Sequence, residues 1–69
     1  MLKLLSSAII TLTAELEHLT ETPEIIDTRR RLAKQYTKIG NLEAAEVQCL
    51  TLITLDTKNR QEYENALNQ

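Results

Sequence analysis

Gly40 and Asn41 stand between two apolar runs of matching length, and this junction constrains the chain more than any other feature. Glycine alone takes left-handed backbone without a steric penalty, so it ends a helix well, and asparagine is a good cap for the next one. Before the junction, Ile25, Leu32, Tyr36 and Ile39 fall on one helical stripe, with Ile26 and Ala33 beside it. After it, Leu42, Ala44, Ala45, Val47, Cys49, Leu50, Leu52, Ile53 and Leu55 are broader than one stripe. So short a turn forces the two helices to run antiparallel. A helix apolar on most sides is sandwiched between neighbours. The second helix of the pair is therefore expected to be central, touching the first on one side and the N-terminal helix or a partner on another.

The flanking segments read as helices too. Leu2, Leu5, Ile9, Leu12, Leu16 and Leu19 recur at steps of three and four, the seam of an amphipathic helix, with Leu4 and Ile10 widening it. Thr22-Pro23-Glu24 starts the next helix: threonine can accept from free amides, proline suits the first turn, and glutamate favours the positive helix end. Arg29 falls on the inward stripe, where its stem can cover apolar surface while the guanidinium reaches water or a carboxylate. Asn59-Arg60-Gln61-Glu62 resembles a capping box, followed by Tyr63, Ala66 and Leu67 on one face. The expected architecture is one all-α domain: helix 1 over residues 1–21, helix 2 over 23–39, helix 3 over 41–56 and a short helix 4 over 60–68. Helices 2 and 3 form an antiparallel hairpin, and helix 4, marginal alone in water, docks by Tyr63 and Leu67.

Within this hairpin the order Leu32-Ala33, Tyr36, Gly40, Leu42, Ala45 resembles the tetratricopeptide repeat, a helix-turn-helix unit of about 34 residues. Arg29, Cys49, Leu52 and Thr57 depart from the usual residues of that pattern. The resemblance implies a non-enzymatic module that stacks with like units and binds other proteins. Each such repeat leaves an apolar face for its neighbour, and about three are normally needed for stability. Sixty-nine residues hold one unit with flanking helices, near the lower limit for burying enough apolar surface unaided. The core is therefore expected to be completed by helix 1, by a second copy or by a different protein.

The net charge of -2 hides an uneven distribution. Residues 1–27 are acidic, Arg29, Arg30, Arg31, Lys34 and Lys38 fall in a stretch without an acid, and the remainder is acidic again. Such blocks match each other across an interface or meet an acidic partner. Arg30, Lys34 and Lys38 lie on one outward strip that could meet phosphates, although Asp27 can pair with Arg30 and Arg31 along the helix. The single cysteine, Cys49, cannot form an internal disulfide, which favours a reducing, cytoplasmic setting. Polar residues at helical spacing within residues 1–14 favour a domain helix over an export signal, and no run is long enough to span a membrane.

Catalysis needs titratable groups held in a pocket, which a few short helices scarcely provide. Cys49 lines up with Ala45 and Leu52 on the inward face, as a packing thiol would. His18 shares a side with Glu15 and Glu21, but stable zinc sites use more His or Cys ligands than this chain owns. No cofactor, metal or small-molecule substrate is expected. The leading expectation is a cytoplasmic adaptor or small chaperone that docks another protein or a second copy of itself. Leu5, Ile9, Leu12, Leu16 and Leu19 would form its apolar seam, and Arg30, Arg31 and Lys34 would steer an acidic partner. Small co-chaperones of the secretion-needle subunit in type III systems are similar in size and plan. A dimeric nucleic-acid regulator using the basic strip, and a small enzyme or redox protein using Cys49, are the other readings.

Overall fold

The computed structural model describes the backbone of residues 2–68 and the side chains of residues 7–68. Four helices follow one another: α1 (Leu2–His18), α2 (Thr22–Lys38), α3 (Leu42–Leu55) and α4 (Arg60–Leu67), the last entered through a single 3-10 turn at Thr57–Asn59. There is no strand among the described residues, so the fold is all-α as the periodicity requires.

The α2–α3 junction forms by the chemistry expected of it. Gly40 sits at φ 79. Its amide donates to the Thr37 carbonyl at 3.1 Å, and the Asn41 amide to the Tyr36 carbonyl at 2.9 Å, the paired bonds of a Schellman stop. Asn41 Oδ1 then accepts from the Ala44 amide and opens α3. A Cβ built on Gly40 would meet nothing within 4 Å, so a side chain there is opposed by backbone strain alone. Gly40→Ala is expected to cost about 1 kcal/mol, lowering Tm by roughly 4–8 °C for a chain of this size. Thermal melting followed by circular dichroism measures it, and Gly40→Asn is expected to lose less.

Three helix ends differ from expectation. Helix α1 stops at His18, short of residue 21. The cap of α2 is Glu21 in extended backbone (φ -85, ψ 130) without a side-chain bond, so Thr22 and Pro23 belong to the first turn. Pro23 fits there because an amide at that position has no helical acceptor. Asn59 makes no cap bond at α4; its Nδ2 instead donates to Asp56 Oδ2 at 2.9 Å. Local caps are short-range competitions, and here a nearby carboxylate wins.

The helices pack in chain order: α1 on α2, α2 on α3, α3 on α4, with α2 and α3 the most extensive pair. Helix α3 is therefore central as expected, but its second neighbour is α4, while α1 leans on α2. Leu32, Ala45, Cys49, Leu52 and Tyr63 are the buried apolar residues, and Ile26, Ile53 and Leu67 pack around Cys49, Leu52 and Tyr63. Arg29 is partly buried: its Nη1 donates to the buried Gln48 Oε1 at 3.0 Å rather than to a carboxylate, and its Nε is buried without a partner. The result is a shallow layer with extents 35 × 30 × 12 Å. Its surface is 5074 Å², against about 4400 Å² for an ordinary monomer of this mass.

Candidate functional site

One side of the layer carries a trough of about 1230 Å³. Ala8, Leu12 and Glu15 line it from α1, Asp27, Arg31, Lys34 and Lys38 from α2, and Glu62, Tyr63 and Ala66 from α4. Leu52 and Cys49 reach it from α3. Four residues expected to contact a partner, Leu12, Arg30, Arg31 and Lys34, thus meet at one surface. Ile9, Leu16 and Leu19 do not line it; they are half-buried, Ile9 and Leu16 on α1 and Leu19 just beyond it, and the only helix neighbour of α1 among the described residues is α2. Leu5 lies outside the residues whose side chains are described.

The charges of the trough fall into two kinds. Arg31 Nε pairs with Asp27 Oδ2 at 3.1 Å, one turn away, as foreseen. Arg30 turns from Asp27 to α4: its Nη2 donates to Glu62 Oε2 at 2.8 Å and its Nη1 to Tyr63 Oη at 2.9 Å. Among the described residues, Lys34 and Lys38 have no acidic partner and are exposed. The cationic reach of the trough therefore rests on these two lysines, at one-turn spacing.

The Arg30 contact belongs to a polar cluster that spacing alone does not reveal. Tyr63 Oη donates to Asp56 Oδ2 at 2.5 Å while accepting from Arg30, and the guanidinium carbon stands 5.5 Å from the Tyr63 ring centroid. The Tyr63 hydroxyl, then the Asn59 amide, hold the Asp56 carboxyl below its usual range, against the opposing effect of burial. Burial, then the bond to Asp56, pushes the Tyr63 hydroxyl up, so it remains a donor at neutral pH. The Tyr63 bond raises Arg30 further. The cluster fastens α4 to α2 across the edge of α3.

The opposite side of α3 is uncovered. Val47 is 55 % exposed and Leu50 53 %, while Leu42, 66 % exposed, opens the helix on the Cys49 side. On a helix of 3.6 residues per turn, Val47 and Leu50 point away from Cys49 and Leu52, which face the trough. Glu43 and Glu46, both exposed, are the only charges on α3. The breadth of the α3 pattern left this apolar, acidic ridge to the N-terminal helix or to a partner, and α1 does not cover it.

Cys49 is buried, and burial, then Glu46, raises its thiol, which opposes the thiolate that nucleophilic chemistry requires. Among the described residues no group of His, Cys, Asp or Glu could hold a metal ion, and no helix is long and apolar enough to cross a membrane. The chain matches no family model, no curated protein and no solved structure.

Proposed function

We propose that this chain is a non-enzymatic protein-interaction module, an adaptor or small chaperone, that buries its open helix faces against another polypeptide in the cytoplasm. The observation that carries this reading is the half-covered state of α3. A helix apolar around most of its circumference is ordinarily enclosed, yet Leu42, Val47 and Leu50 face solvent. Pairing within the chain occupies Arg30 and Arg31, leaving few cations in the basic strip for phosphates and favouring protein over nucleic acid as the partner.

A photo-crosslinking amino acid placed at Leu50 or Leu12 in the living cell tests the reading. Adducts with the mass of a further polypeptide are expected at both positions, with none at the exposed polar Gln61 on α4. Absence of polypeptide adducts at Leu50 and Leu12 alike would overturn it.

A further inference from the structure

We infer that the occupant of the trough is the α3 ridge of a second copy, so that the chains associate head to tail. This rests on the interaction reading above and names its partner. The two surfaces lie on opposite sides of one helix and are complementary in charge. The ridge offers Val47 and Leu50 with Glu43 and Glu46 and no cation. The trough offers Leu12 and Ala8 with the unpaired Lys34 and Lys38. Both charge sets recur within about one helical turn, so two helices laid together can place each glutamate near a lysine. Asp27 and Glu62 in the trough are already neutralised by Arg31 and Arg30, leaving Glu15 as the one acid there without an ion pair among the described residues.

Size fits as well. Helix α3 has 14 residues, so with side chains it is a rod roughly 21 Å long and 10–12 Å across. The half that would enter a groove occupies roughly 800–1200 Å³, about the 1230 Å³ of the trough. Because donor and acceptor surfaces face opposite ways, a pair joined by one contact still presents one free ridge and one free trough. Such a heterologous contact does not close on two chains. A symmetric ridge-to-ridge dimer would instead gather four glutamates with no cation on either α3.

Sedimentation velocity of the full chain and two double variants tests this. Lys34→Glu with Lys38→Glu reverses the trough; Val47→Glu with Leu50→Glu spoils the ridge. All four residues are exposed, and unchanged far-ultraviolet circular dichroism would verify that both variants fold. The unaltered chain is expected to grow beyond a dimer with concentration, and to do so less in high salt. Each variant alone should associate at least tenfold more weakly. Their equimolar mixture should form one-to-one dimers and stop, since one brings an intact ridge and the other an intact trough. Two results would overturn the inference: an unaltered chain that is monomeric throughout, or a trough variant that still dimerises while the ridge variant does not. A foreign polypeptide crosslinked at Leu50 of a monomeric chain would remove self-docking and leave the interaction reading standing.

Discussion

Leu52→Ala is expected to destabilise the fold by about 3 kcal/mol, most of the net stability that a domain of this size has. Leu52 is 1 % exposed and joins Cys49 and Tyr63 at the centre of the packed cluster. A core this small supplies a net stability of only about 3–5 kcal/mol, so one truncation removes most of the margin. The loss has two parts: the transfer free energy of the deleted carbons and the cavity they leave. That cavity opens between α3 and α4, where Ile26, Ile53 and Leu67 are only partly buried and can relax inward a little. Urea unfolding followed by helical circular dichroism measures the effect. Leu50→Ala, the same change two residues away, is the control, because Leu50 is 53 % exposed and surface truncations stay within about 0.5 kcal/mol. Any loss in Leu50→Ala should grow with protein concentration, since a side chain that acts in association contributes to stability through mass action. Equal losses in both variants would mean that the ridge is part of the core.

Punctuation and period made the helices readable, because both act over one or two turns. Gly40 and Asn41 end and begin helices through bonds to residues within five positions, and Pro23 fits only a first turn. Ala45, Cys49 and Leu52 line one face of α3 by spacing alone, and all three are buried. What spacing cannot carry is which face meets which neighbour. The breadth of α3 promised a second cover from the N-terminal helix or a partner; the chain supplies a cover on the α2 and α4 side, and α1 goes to α2 instead. Contacts across 19 to 33 positions, Arg29 with Gln48 and Arg30 with Tyr63, follow from that packing. They are invisible before it is known, as is the pairing that takes Arg30 out of the basic strip. Leu12, Arg30, Arg31 and Lys34 converge on the trough because Arg30, Arg31 and Lys34 share the outward side of α2 and Leu12 lies on the helix that α2 meets first. Which of the two would cover the ridge, the N-terminal helix or a partner, could not be read, because an exposed leucine and a buried one read alike in a sequence.

Tyr63→Phe is expected to lower stability at neutral pH by about 1–2 kcal/mol, a fall in Tm of roughly 5–10 °C. The ring is 4 % exposed and phenylalanine keeps its packing, so the change isolates the hydroxyl, which donates to Asp56 and accepts from Arg30. Its signature is a dependence on pH with two limbs. Asp56 is held below the ordinary carboxylate value chiefly by this hydroxyl. Its contribution is therefore full above the unfolded value, near 3.9, and is lost as pH falls through the lower folded value. Tyr63 is raised above its ordinary value by burial and by Asp56. Its contribution is full below about pH 10 and is lost as pH rises through the folded value. The stability difference between the unaltered chain and the variant should accordingly be widest on a plateau spanning neutral pH and narrow at both ends. Urea unfolding of the two proteins across an acid-to-alkaline series reads that difference directly. A gap that stayed constant with pH would mean that Tyr63 anchors α4 by its ring alone, and that the carboxylate and guanidinium beside it contribute nothing to holding α4 against α2.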